Sequence, residues 1–279
     1  QPLAGGLPGD TFTVGYDTLR RTAKRAYAAG ARFATWEAVF RIVPIEEEEE
    51  VMHSIWPTDV RFMGNTGLAM LENSAALARF ARAAQEEGLV PVLSPRLVFG
   101  HLPFAHQRHH VYGNALERVL DRVFSACQAY GVHLEGCLLQ LAPLAPPPEG
   151  RDPALDATFA TVAGAAATQH ALEKRAPAAL PGVLLLSDRQ GLGALPTAEQ
   201  IREISLVRQA AQGGPFEDRL GFSMGESIQK ELIEAWLGRP ENVAHAQTLL
   251  LERAELLSGA LDDELAARSS PSSFGGGSV

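Results

Sequence analysis

Apolar residues recur at spacings of three and four along residues 20–30, 68–87, 114–130, 153–175, 198–212 and 224–237, segments also rich in Ala, Leu, Glu and Arg. That period puts the apolar side chains on one face of an α-helix, so each segment is predicted as a helix with a buried side. A seventh helix is predicted from residue 241 to about residue 267. Between them lie short apolar runs at 34–42, 89–93, 134–141, 183–187 and 219–223, which read as strands. Gly30, Gly88, Gly131, Pro181-Gly182 and Gly213-Gly214-Pro215 punctuate the alternation. Strand and helix in alternation is the pattern of consecutive parallel βα units, and five are countable. A closed barrel of about eight strands needs more. The sequence therefore predicts further strands, upstream of Gln1 or from another chain, because five units alone leave two unpaired edges.

Residues 58–65 and 143–153 read as loop insertions, and 269–279, with Ser, Pro and Gly, as a flexible tail, leaving 1–268 as one domain. The chain has 279 residues, 46% hydrophobic and 20% charged, enough for a sizeable core. A formal charge of -9 argues against nucleic acid, whose phosphates need a net basic face. Five of the acidic residues form the run from Glu46 to Glu50, expected to be solvated or to meet a basic partner. Two cysteines, Cys127 and Cys137, are too few for a disulfide framework and lack companions at zinc-site spacing, which points to a reducing, cytoplasmic setting. No apolar stretch is long enough to span a bilayer, and the opening Gln1-Pro2-Leu3 is expected to lie inside a longer protein.

Few residue constellations suggest chemistry by themselves. His101, His106, His109 and His110 cluster in one stretch, with His106 and His109 three apart as a metal pair would be, but a solvated loop is the expected reading. Cys137 is three residues from Gln140, which on a strand puts the two on opposite faces, so the thiol is expected in the core. Ser94 and Ser223 have no paired histidine at recognisable spacing, so a hydrolase triad is not expected. Gly182 and the Gly213-Gly214 pair lack the spacing of a nucleotide-binding loop and read as turns. Neither cofactor nor metal is expected.

Seven ordered segments resemble class I fructose-bisphosphate aldolases. Pro2-Leu3-Ala4-Gly5 with Thr13-Val14-Gly15-Tyr16-Asp17-Thr18-Leu19 is similar to "PLAG…TTQGLDGL", and Phe33-Ala34-Thr35-Trp36-Glu37-Ala38-Val39 to "FAKWRAV". The segment from Met70 to Ala81 resembles "IMENANVLARYA", and that from Gly88 to Arg96 resembles "GIVPIVEPE". Leu134-Glu135-Gly136-Cys137-Leu138-Leu139-Gln140 is similar to "LEGTLLK", and Leu186-Ser187-Asp188-Arg189-Gln190 stands where the family has "LSGGQ". Phe222-Ser223-Met224-Gly225-Glu226-Ser227-Ile228-Gln229 resembles "FSYGRALQ", with Ala235-Trp236 and Glu241-Asn242 following as in "KAWGGKxEN".

The resemblance implies a (β/α)8 TIM barrel, with this chain covering about strands 4 to 8 and their helices. It also implies a mechanism in which a lysine at the end of "LLK" forms a Schiff base with the sugar ketone. At that position this chain has Gln140, whose amide cannot form an iminium, and its only lysines, Lys24, Lys174 and Lys230, fall within predicted helices. Thr35 and Glu37 replace the lysine and arginine of "FAKWR", which reads as a loss of cations where a bisphosphate would approach. Ser94 replaces the first glutamate of "VEPE", a general acid/base in the family, and Arg96 the second. Glu226 stands in place of the "YGR" arginine, a phosphate clamp. Ser187, Arg189 and Gly225 are the residues left that would hold a phosphate. On these substitutions the sequence predicts a non-catalytic aldolase relative, a structural component of a hetero-complex or homo-oligomer. A sugar-phosphate-binding module and a residual lyase are the alternatives.

Overall fold

A computed structural model describes residues 1–6, 9–42, 67–99, 108–142, 153–186, 197–223 and 225–260. Five strands, β1 (Phe33–Ile42), β2 (Val90–Phe99), β3 (Leu138–Leu141), β4 (Gly182–Leu186) and β5 (Leu220–Ser223), form one sheet in sequence order. Every neighbouring pair is parallel. Helix α1 (Leu19–Ala28) precedes β1, and α2 (Gly67–Glu86), α3 (Arg108–Ala129), α4 (Pro153–Arg175) and α5 (Thr197–Ala210) each connect one strand to the next. α6 (Gly225–Trp236) and α7 (Val243–Gly259) follow β5. This is an α/β architecture of the TIM-barrel kind, with β1 and β5 as the outer strands of the described part.

Strand alternation divides the residues into two faces. Ala38 and Phe40 of β1, Leu93 and Leu97 of β2, Leu139 and Leu141 of β3 and Val183 of β4 pack into a core shared with α2 and α3. Leu185 packs with Ile204 and Val207 of α5 in a second cluster. The other parity faces the inside of the barrel, where glycines make room for leucines. A side-chain carbon at Gly182 would sit 3.1 Å from Leu138 Cδ2, and one at Gly221 would sit 3.0 Å from Leu184 Cδ2.

α2 shows how composition sets packing. Ala69, Ala76, Ala78, Ala81 and Ala84 are buried along it, and such small residues let the helix lie close against β1 and β2. Phe80 of this helix stacks on Trp36 of β1 at 5.5 Å, and Tyr16 stacks on the same indole at 5.7 Å. Asn73 donates from Nδ2 to the carbonyls of both Thr11 and Val39, fastening the N-terminal segment to β1.

Three elements differ from the sequence reading. β2 runs on to Phe99 rather than ending near residue 93, even though it contains Pro91 and Pro95. Its ladder to β1 covers ten positions, whereas pairing to β3 is confined to Val92 and Leu93, as expected where prolines withhold N–H donors. Residues 134–136, predicted as strand, form a 3-10 turn, and β3 starts only at Leu138. α3 begins at Arg108, six residues early, and so takes in His109 and His110. The predicted insertion 58–65, the run from Glu46 to Glu50, His101, His106 and the tail 269–279 lie outside the described residues.

Candidate active site

The C-terminal ends of parallel strands are where a barrel presents its working side chains. On the inner face of this sheet, the register sets Glu37 beside Ser94, with Thr35 beside Val92 one pleat below and Arg96 beside Val39 one pleat above. Extending the pairing of Val92 with Leu138 brings Ser94 level with Gln140, which is itself paired with Leu184. Ser223 closes β5 opposite Leu186. Six of the residues marked by the sequence thus share the inner face: Thr35, Glu37, Ser94, Arg96, Gln140 and Ser223.

Gln140 is 8% exposed, a depth at which an amide needs a partner. Its Nε2 donates to Ser223 Oγ at 2.9 Å, reaching past β4. A hydroxyl that accepts in this way keeps its own proton to donate, so Ser223 presents an O–H to the barrel interior. Ser94, 2% exposed, lies on the neighbouring strand.

Glu37 and Arg96 form an ion pair, Nη1 to Oε1 at 3.3 Å, in which the arginine side chain is 23% exposed and the glutamate 40%. This changes the reading of the substitutions. Across the two resembled motifs the family carries a lysine, an arginine and two glutamates, whereas here the same places carry Thr35, Glu37, Ser94 and Arg96. The lysine–glutamate combination has become two neutral hydroxyls, and the arginine–glutamate combination has exchanged partners. Local net charge is unchanged, because the loss of cations on β1 is offset on β2 by the loss of both glutamates together with the gain of Arg96.

Cys137 lies where expected, in the core on the face opposite Gln140, with Gln85 Nε2 at 3.3 Å from its sulfur. Burial, and secondarily the neighbouring thiol of Cys137, pushes Cys127 up to about 12. Burial likewise raises Cys137 to about 12, which leaves neither a nucleophile at neutral pH. Lys24 and Lys230 are exposed on helices, and Lys174 is held 3.2 Å from Glu117. None of the three stands at the mouth of the strands. Gly225 opens α6 just beyond β5, exposed and with no atom within 4 Å of an added side-chain carbon. Ser187, Arg189 and the side chain of Glu226 are outside the described set. Among the described residues no cluster of His, Cys, Asp and Glu fits a metal, and no helix is long and apolar enough to cross a membrane.

Sequence reasoning missed two relationships, the Gln140–Ser223 bond and the Glu37–Arg96 pair. The second left a signal, since the motifs exchange a positive and a negative residue between two strands expected to be neighbours. The first left none, because nothing in the spacing of residues 140 and 223 shows that the intervening strand can be bridged.

A parallel α/β barrel with a polar inner face at its strand ends is a common enzyme architecture, and comparison with known proteins narrows it. The family model for glycolytic class I fructose-bisphosphate aldolases matches residues 1–274, and the chain belongs to that family. It is 33% identical over 253 residues to the cytoplasmic isozyme 2 of fructose-bisphosphate aldolase from Pisum sativum, covering 90% of this chain and 60% of that protein. Fructose-bisphosphate aldolase 1 of Toxoplasma gondii is 34% identical, with 87% and 58% covered. A solved structure of the Plasmodium falciparum aldolase superposes with a TM-score of 0.69 at 30% identity, over 90% of this chain and 63% of that one. The chain thus spans about 60% of the length of the curated relatives it matches.

The expectation of a protein without enzymatic activity is overturned here. The relatives that match nine-tenths of the chain are named as aldolases, which points to an enzyme.

Proposed function

We propose that this chain supplies the working face of an aldolase-family lyase that cleaves a phosphorylated ketose by hydrogen-bonding its carbonyl, with no iminium formed on the chain. The observation that carries the reading is the 2.9 Å bond from Gln140 to Ser223, which turns a hydroxyl toward the substrate space at the position next to the substituted lysine site. A retro-aldol step moves an electron pair onto the carbonyl oxygen as the carbon–carbon bond breaks. Ser223 donates to that oxygen, and its donor strength rises because Gln140 holds its lone pair. The covalent route has no support within this chain, whose three lysines lie on helices.

Phosphate binding falls to Ser187, Arg189 and Gly225 in this reading. The position of β1 and β5 at the edges of the sheet among the described residues, and the greater length of the relatives, support further strands completing the barrel. A cytoplasmic location accords with the plant relatives, which are cytoplasmic isozymes by name. The test is incubation of the purified full-length protein with fructose 1,6-bisphosphate, with triose phosphate measured as product. Cleavage is expected, and Ser223→Ala should slow it by roughly 10²-fold, the usual scale for one oxyanion donor. Failure of the wild-type protein to release triose phosphate would contradict the proposal.

A further inference from the structure

We infer that Glu37 is the general base of this site, standing one strand away from the place where the family motif carries its glutamate. The inference rests on the lyase reading above. Cleaving a carbon–carbon bond in this way requires a base to remove the proton from the hydroxyl on the carbon that becomes the new carbonyl. Ser94, at the motif position, has no basic group for that task.

The fold brings a carboxylate to the same row. Glu37 and Ser94 are direct neighbours in the parallel ladder, about 5 Å apart as adjacent strands are, and both belong to the inner face. Among the described inner-face residues of the five strands, Glu37 is the one carboxylate. Thr35, Val39 and Arg41 share its strand face, Ser94 and Arg96 lie on β2, and Gln140 and Ser223 lie on β3 and β5. The charged group that meets it is Arg96, at 3.3 Å, while Arg41, two pleats further along the same strand face, has its guanidinium beside Gly9. The N-terminal segment running past contributes Thr13, whose hydroxyl donates to the backbone carbonyl of Glu37 at 3.2 Å and so helps to fix the residue.

Arg96 acts as the positioning group. Its contact with Oε1 holds the carboxylate over the row of Ser94 and Gln140, while 40% exposure leaves the side chain open to the interior space. The step balances without a further reactant. Glu37 takes the hydroxyl proton, the C–O bond becomes a carbonyl, and the carbon–carbon bond breaks. Its electron pair passes to the enolate whose oxygen Ser223 holds, and Glu37 returns the proton to the carbon of that enolate.

The experiment uses the full-length protein. Glu37→Gln should lower kcat by about 10²–10⁴-fold, the range for loss of a positioned base, and should remove the ascending limb of the pH profile. Glu37→Asp should retain that limb at reduced rate, and added formate should restore turnover to Glu37→Ala, which a purely structural role would not allow. Thermal melting of each variant checks that it is folded. Glu37→Gln that cleaves at the wild-type rate with an unchanged pH profile would overturn this inference alone. Absence of cleavage by the wild-type protein would overturn the lyase reading and this inference together.

Discussion

Gln140 on β3 and Ser223 on β5 are joined by a 2.9 Å hydrogen bond although β4 lies between them. The link closes because the sheet is curved and Gly221, the residue of β5 level with Gln140 and Leu184, offers no side chain to block it. Removing Ser223 deprives the buried Gln140 amide of this partner, and removing Gln140 deprives a half-buried hydroxyl of its donor. Gln140→Ala and Ser223→Ala are each expected to lower unfolding free energy by about 1–2 kcal/mol. In a double-mutant cycle read by urea unfolding, the pair should show a coupling of about 1 kcal/mol, and additive losses would mean that the bond is not formed in solution.

The Glu37–Arg96 pair makes a different prediction because it is partly solvated. Glu37 is 40% exposed, so solvent screening reduces its worth to about 0.5–1 kcal/mol. Glu37→Arg sets two cations together and Arg96→Glu two carboxylates, and each should destabilise the fold. The double exchange should recover most of the loss, since it restores opposite charges in the reverse order. Raising the salt concentration should shrink all three effects, which urea titrations at low and high ionic strength will show.

Trp36 stacks with both Tyr16 and Phe80, at centroid distances of 5.7 and 5.5 Å. Its indole N–H is buried and has no hydrogen-bond partner among the described residues. Phenylalanine therefore keeps the stacking and loses no polar contact. Trp36→Phe should cost under about 1.5 kcal/mol, as shape-conserving core changes do, whereas Trp36→Ala should cost about 3 kcal/mol or more. Thermal melts of both variants test the contrast.

The two buried thiols predict an alkaline limit to stability. Burial raises Cys127 and Cys137 to about 12 in the folded protein, from an ordinary value of 9.0. Both thiols are neutral in folded and unfolded chains below about pH 9, so stability there does not depend on them. As pH rises from about 9 towards 12 the unfolded chain releases these protons first, and unfolding becomes easier. Native protein should resist a thiol reagent at pH 8, with modification following global unfolding. Rapid labelling of the folded state would show that the thiols are not buried.

Much of this architecture was legible in the residues. Pro153–Arg175 was placed to the residue, because proline at the first helical position and the basic pair Lys174 and Arg175 at the end mark its limits. The order of strands followed from the alternation of elements. The length of β2 was not legible, because Pro95 reads as an end, and only the ten-position pairing with β1 shows how a proline-bearing strand is sustained. Position 140 stood out because an amide replaces the motif's lysine, but the step from that substitution to a protein without activity is the one the relatives overturn. A single substituted lysine says that one covalent route is closed, while the hydroxyl and the carboxylate that share its surface become visible only once the strands are curved around it.

The most direct test is reduction by borohydride during turnover. Full-length protein should cleave fructose 1,6-bisphosphate, and intact-mass analysis after reduction should find this chain unmodified, because no lysine of its own reaches the barrel mouth. A reduced sugar-phosphate adduct on Lys24, Lys174 or Lys230 would contradict the account.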